Sequence, residues 1–279
     1  MKNESLIITK ASGERVPFLY PKLENSLTKA GANQETIDYV IREVKNELYD
    51  GISTKKIYRK AFSLLKASRL RPVGAKYKLK QAIMELGPSG FPFEIYVSEI
   101  FKHKGFKIKV GEILQGACVK HEVDVIAENQ EKILFIECKY HTNPGSTCDV
   151  KVPLYINSRF MDIEKQSRKN PEKEKKIHEG WLVTNTRFTT DAIQYGTCAG
   201  LHLLGWDYPE KGSLKQMIDE SGLHPLTALT SINNTEKQKL LAMKYVLCQE
   251  LDEKVLKNAG IHLIKIKGIL DECNKLCQR

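Results

Sequence analysis

His121-Glu-Val-Asp-Val-Ile-Ala-Glu-Asn-Gln-Glu-Lys-Ile-Leu-Phe-Ile-Glu-Cys-Lys-Tyr-His141 is the stretch on which the reading of this chain turns. Val123–Ala127 and Ile133–Cys138 are rich in β-branched and large apolar residues, and Glu128-Asn129-Gln130-Glu131 separates them, so the pattern predicts two strands around a polar turn. Glu137 and Lys139 interrupt the second apolar run. Side chains alternate along a strand, which puts Glu137 and Lys139 on one face and Cys138 on the other. If the strands pair, Asp124 comes opposite them, and two carboxylates and an ammonium meet at one place.

Such a cluster suits phosphodiester hydrolysis assisted by a hard divalent cation, which takes oxygen ligands and commonly uses one or two carboxylates with water and phosphate. A lysine alongside would orient or deprotonate the water. The same residues are equally compatible with an edge-strand ion pair between Glu137 and Lys139 that serves only solubility.

Asp124, followed thirteen positions later by Glu137-Cys138-Lys139, resembles the Asp…Glu-Xaa-Lys signature of restriction-endonuclease-like nucleases, and the Glu-Cys-Lys form is similar to the Mrr-like branch. The resemblance extends to Phe93-Glu94-Ile95-Tyr96-Val97-Ser98-Glu99-Ile100-Phe101, then Gly105-Phe106, and to Thr184-Asn185-Thr186-Arg187-Phe188-Thr189, over roughly residues 90–206. It implies a mixed sheet covered by helices on both sides. Asp124 and Glu137 would bind Mg²⁺ or Mn²⁺ together with the backbone carbonyl of Cys138. Lys139 would serve the attacking water, and Glu94 would assist as an outer ligand.

Hydrophobic residues make up 41% of the 279 and charged residues 28%, as in globular proteins, with room for about two domains. The net charge of +10 is uneven: residues 1–90 hold 17 Lys+Arg against 9 Asp+Glu. That excess favours polyanionic partners, nucleic acid or nucleotide. Seven scattered cysteines without a Cys-Xaa-Xaa-Cys pair speak against a zinc ribbon or a secreted disulfide framework, so a cytoplasmic protein without a membrane span is expected.

In the N-terminal part, Leu6–Thr9 and Val16–Phe18 predict a hairpin around Ala11-Ser12-Gly13-Glu14. Four helical patterns follow. The first stops at Gly31, the second runs from Ile37 to a close at Gly51, the third is capped by Ser53, and Leu79, Ala82, Ile83 and Leu86 mark the fourth. Ile8-Thr9-Lys10-Ala11-Ser12-Gly13-Glu14-Arg15-Val16-Pro17-Phe18, then Lys22-Leu23, together with Asp50-Gly51-Ile52-Ser53-Thr54-Lys55-Lys56-Ile57, resembles the ATP-cone, a regulatory nucleotide-binding domain. The resemblance implies ATP or dATP as the regulatory ligand, with Lys10, Lys22 and Thr54 helping to hold it. Where that family has Lys-Arg-Asp-Gly or Lys-Arg-Asn-Gly, this chain has Lys10-Ala11-Ser12-Gly13.

Gly87-Pro88-Ser89-Gly90-Phe91-Pro92 reads as a boundary. The expected class is therefore α+β and multidomain. A helical ATP-cone with a β-hairpin (1–88) precedes a restriction-endonuclease-like α/β/α mixed-sheet domain (89–208) and a helical C-terminal region (209–279). Phe106–Val110, Trp181–Thr184 and Leu201–Leu204 are the other expected strands, and Val150–Glu174 an expected helical segment whose Arg159, Lys165, Arg168 and Lys169 could track DNA phosphates. Leu214–Ile218, Thr235–Leu247, Glu250–Ala259 and Leu263–Leu276 have helical spacing, and Leu226–Leu247 resembles a helix-hairpin-helix unit less well than a packing element. Cys273 and Cys277, one helical turn apart, lack evident partners for a metal.

Three functions compete: a Mg²⁺-dependent DNA endonuclease regulated by nucleotide, a non-cleaving nucleotide-responsive DNA-binding regulator, and a ribonucleotide reductase accessory factor. The absence of a glycyl-radical motif and of a four-cysteine zinc ribbon counts against the last. Double-strand cutting would call for two active sites and hence a homo-oligomer.

Overall fold

The computed structural model describes residues 6–10, 13–66 and 70–277. Ala11 and Ser12 of the expected hairpin turn lie outside the described residues.

At the N-terminus, β1 (Ile7–Thr9) pairs antiparallel with β2 (Arg15–Pro17) and parallel with β3 (Ile52–Ser53). Helices α1 (Tyr20–Lys29), α2 (Gln34–Lys45) and α3 (Thr54–Leu65) pack beneath this small sheet around Leu27, Val40, Ala61 and Leu65. Asn33 and Ser53 cap α2 and α3, each accepting a main-chain N–H of the first turn. Helix α2 ends at Lys45, well before Gly51. That glycine, at φ +82°, serves the turn into β3 instead. The expected fourth helix is α5 (Leu79–Met84), and a further helix, α4 (Arg71–Tyr77), runs into it at Lys78.

Phe91 and Pro92, read as linker, are already the first turn of α6 (Phe91–His103), where a proline costs no hydrogen bond. A five-stranded sheet follows, with β4 (Lys107–Gln115), β5 (Lys120–Glu128), β6 (Lys132–Lys139), β8 (Ile177–Thr184) and β10 (His202–Leu204) in the order β10-β8-β6-β5-β4. The first three form an antiparallel meander, and β8 and β10 add in parallel. β4 outruns the expected Val110 by five residues because, at the edge, it needs only one partner and tolerates its exposed second half.

Between β6 and β8 lie β7 (Thr147–Cys148), α7 (Lys151–Ser167) and α8 (Pro171–Glu174). After β8 come β9 (Arg187–Phe188), which pairs with β7, and α9 (Thr190–Cys198). One sheet face contributes Val125, Ala127, Leu134 and Ile136 to the core built on Phe93, Tyr96 and Phe101 of α6. The other face packs Ile126, Ile133 and Phe135 against Phe160 and Ile163 of α7, while Leu182 and Leu203 join Ile156 and Ala192. This is a helix–sheet–helix sandwich, so the α+β class expected from sequence is the one observed.

The C-terminal region comprises α10 (Leu214–Ser221), α11 (Asn234–Ala242), α12 (Glu253–Asn258) and α13 (Leu263–Cys277), with short 3₁₀ turns at Leu226–Ala228 and Cys248–Glu250. Its apolar residues belong to the same core as α6, and so do Ala75, Leu79, Ala82, Ile83 and Leu86 of the preceding helices. Helix α11 stops at Ala242, short of the expected Leu247, because Lys244 turns left-handed at φ 66°. The helix-hairpin-helix likeness is not realised as a free phosphate grip. The amides of Thr230 and Ser231 donate to the Glu272 carboxylate at 2.8 and 2.9 Å. Cys273 and Cys277 do have a neighbour, the thiol of Cys248. All seven cysteines are free, and among the described residues no three His, Cys, Asp or Glu are placed as a metal cluster. No described helix is long and apolar enough to cross a membrane.

Candidate active site

The β5–β6 register pairs Val125 with Ile136, and one step further Asp124 would meet Glu137. There the ladder stops, and the N–H of Cys138 donates to Asp124 Oδ2 at 2.7 Å. On the other side of β5, pairing to β4 resumes at Glu112 and Val123 but skips Gly111, which stands opposite Asp124 at φ +67°. Only a residue without Cβ takes that conformation at no cost. Asp124 thus occupies an interruption in both ladders, where β5 is released from regular pairing. The apolar alternation breaks there too: Val125 and Ala127 face α6, yet both Val123 and Ile126 pack on the α7 side.

Along β6 the alternation is regular. Leu134 and Ile136 face α6, and Ile133 and Phe135 face α7. Glu137 is reached from the α7 side, where Arg159 Nη1 of α7 binds its Oε2 at 2.8 Å. The other Arg159 nitrogen donates to the Glu122 carbonyl, and the guanidinium lies 5.4 Å from the Tyr155 ring centroid. Arg159 is therefore turned into the site. Arg168 is likewise engaged, with Glu164 at 2.6 Å. Lys139 remains exposed at the end of β6, its charge favouring the ionised forms of Asp124 and Glu137.

Glu94, in the first turn of α6, approaches from the opposite side, over Gly90. Burial, then the charges of Asp124 and Glu122, push its pKa up to about 7. Burial and Asp124 push Glu137 up to about 7 as well, against the pull of Arg159 and Lys139. Asp124 is raised mainly by burial, offset by the Cys138 N–H. Asp124 raises both Glu94 and Glu137, so its carboxylate is the charge that the other two share.

Two residues that sequence reasoning did not place in this site hold its far end. Asn185, fully buried, accepts the His141 N–H and donates to the His141 carbonyl, both at 2.8 Å, and so fixes the main chain just beyond Lys139. Tyr140 donates to the Met84 carbonyl at 2.7 Å and ties β6 to α5. The Thr-Asn-Xaa-Xaa-Phe-Thr segment was a signal for Asn185. Arg159 is marked in the sequence only as a candidate phosphate contact, with no signal for its pairing with Glu137.

The expected nucleotide residues are placed as follows. The parallel register Ile8–Ile52, Thr9–Ser53 runs toward Lys10 and Thr54 at one end of the small sheet. Lys10 pairs with Glu14 at 2.8 Å, while Lys22 lines a cleft with Tyr58, Lys76, Lys80 and Trp206. Among the described residues no hydrogen bond or ion pair joins Lys10, Lys22 and Thr54.

Compared with known proteins, residues 6–82 match the ATP cone domain and residues 224–277 match the C-terminal region of AF1548-like proteins. An uncharacterized protein of Archaeoglobus fulgidus is 32% identical over 183 residues, 64% of this chain and 99% of that relative. The crystal structure of AF1548, a protein of unknown function, superposes with a TM-score of 0.56 at 30% identity, over 68% of this chain and 98% of its own. The MspJI restriction endonuclease bound to a 27-mer oligonucleotide reaches a TM-score of only 0.33 at 13% identity, over 75% of this chain and 44% of its own.

Proposed function

The chain belongs to the AF1548-like family and begins with an ATP-cone, and from there we propose that it is a metal-dependent DNA endonuclease whose output responds to bound nucleotide. The observation that carries this reading is the approach of Asp124 and Glu137 at a broken ladder, with Glu94 behind them and Lys139 exposed at the end of the central strand. An edge-strand ion pair accounts less well for these residues. Glu137 pairs with Arg159 and not with Lys139, and two of the three carboxylates are held up to about 7.

The donors fit Mg²⁺ or Mn²⁺: two carboxylates and the carbonyl of Cys138 are hard oxygen ligands, in a site whose mutual repulsion a cation would relieve. When bound, the metal would acidify water and screen the charge building on the phosphate. Asp124 and Glu137 would hold that position, and Glu94 would accept hydrogen bonds from an outer water. Lys139 Nζ would take or orient the proton of the attacking water. Arg159, released from Glu137, would neutralise a phosphate oxygen. The proposed division into residues 1–88, 89–208 and 209–279 gives sensing, chemistry and support to successive segments, with ATP or dATP held by Lys10, Lys22 and Thr54.

The second reading is a nucleotide-responsive DNA-binding regulator that does not cut. It is favoured by Arg159 occupying Glu137. Supercoiled plasmid incubated with Mg²⁺ and with a chelator separates the two. Nicked circles that form only with metal support the nuclease. Retention of the plasmid with no nicking under either condition supports the regulator.

A further inference from the structure

A second cluster of charge lies away from this site, where α3, α4 and α5 meet the segment before α11. Lys78 and Lys237 are among the most buried charged residues described, 8% and 4% exposed. Both ammoniums converge on the same oxygen, Glu85 Oε2, at 2.6 and 3.1 Å. Both also donate to the Thr227 carbonyl, at 3.3 and 2.7 Å. A latch between the two segments needs one ammonium for this carboxylate, so the second is surplus and buried. Burial and the neighbouring Lys237 already lower the pKa of Lys78 to about 8.

The two lysines open onto a cleft of about 440 Å³ that Lys66, Lys265, Ser231 and Asn234 also line. The Ser231 hydroxyl is buried and has no hydrogen-bond partner among the described residues. Asn234 begins α11, whose first-turn amides carry partial positive charge. The carboxylates in the neighbourhood are Glu85, Glu236 and Glu272. Glu236 is paired with Lys265, and Glu272 is bound to the Thr230 and Ser231 amides. Four lysines thus face three carboxylates, one of which is held by main-chain amides.

We propose that this cleft binds a small phosphate-bearing anion, of the size of a tripolyphosphate or the phosphate tail of a nucleotide. Donors converge there from three segments far apart in sequence, which suits a tetrahedral polyanion better than a single-point anion. The cleft volume lies within the range of small-ligand sites. It is separate from the cleft that holds Lys22, and it does not depend on the nuclease reading. An anion there would bridge the cone helices to the C-terminal region, so occupancy would stiffen that junction.

Calorimetric titration of sodium tripolyphosphate into the full chain at constant ionic strength tests this. Lys10→Ala and Lys22→Ala are placed in the background to remove the proposed cone contacts. One-to-one saturable binding is expected. The exposed-side changes Lys66→Met and Lys265→Met, which leave the buried Glu85 pairing intact, should weaken it by about tenfold or more, and Ser231→Ala by a smaller factor. No saturable heat, or affinity unchanged in the Lys66→Met/Lys265→Met protein, would overturn the proposal. Displacement of tripolyphosphate by a short DNA duplex through the same lysines would assign the cleft to backbone phosphates and overturn it also.

Discussion

Arg159 and Glu137 form a 2.8 Å ion pair across the interface between α7 and β6. The guanidinium occupies one side of a carboxylate proposed as a metal ligand. On that proposal, arginine and a divalent cation would compete for Glu137. Arg159→Met is expected to tighten Mn²⁺ binding by about tenfold, measured by calorimetry without DNA, while reducing cleavage if the guanidinium serves the phosphate. Unchanged Mn²⁺ affinity would mean that Arg159 does not compete with the metal.

The raised carboxylates give a pH dependence of definite sign. Glu94 reaches about 7 in the folded chain, above its ordinary value of 4.5. The folded state then binds more protons than the unfolded one between those values, so its stability falls as pH rises through that window. Glu94→Gln should stabilise the protein by ~1–3 kcal/mol at pH 8 and by nothing near pH 4.5. Thermal unfolding of both proteins across that range checks it, and a gain that grows toward low pH would contradict it.

Asn185 bonds both main-chain groups of His141 from a fully buried position. Asn185→Ala leaves a buried N–H and carbonyl without partners, at about 2–4 kcal/mol. Chemical denaturation should show that loss. Lys139 is freed with the loop, so the turnover number should fall more than the affinity for DNA does.

The parts of this molecule legible in sequence are those governed by local period. Glu137 takes the α7 face with Ile133 and Phe135 as two-residue alternation requires, and the buried Phe93, Tyr96, Val97, Ile100 and Phe101 of α6 follow helical spacing. What escaped was set by contact between distant segments. Arg159 sits in a charged helix, and only the approach of α7 to β6 turns it onto Glu137. The broken ladder at Asp124 depends on Gly111 in the strand across from it. The stop of α11 at Lys244 uses a left-handed lysine, where composition marks no glycine. The burial of Lys78 likewise depends on Glu85 and Lys237, the latter more than 150 residues away.

Nucleotide at the ATP-cone is expected to alter cleavage through binding alone, since the chain has no phosphate-loop motif. Coupling of about 1–3 kcal/mol corresponds to roughly 5–150-fold in rate or affinity. Nicking rate and molecular mass should be compared without nucleotide, with ATP, with dATP and with a non-hydrolysable analogue. The analogue should act as ATP does, and a response to ATP alone would point to hydrolysis.

The decisive measurement is plasmid nicking by the wild-type chain and by the Asp124→Ala/Glu137→Ala chain in Mg²⁺, with DNA binding followed in parallel. The wild type should nick, and the double variant should lose nicking while keeping DNA affinity within about threefold, because phosphate contacts are spread over lysines and arginines that these changes spare. Equal nicking by the two chains would contradict the assignment of Asp124 and Glu137 as the metal-binding pair of a nuclease.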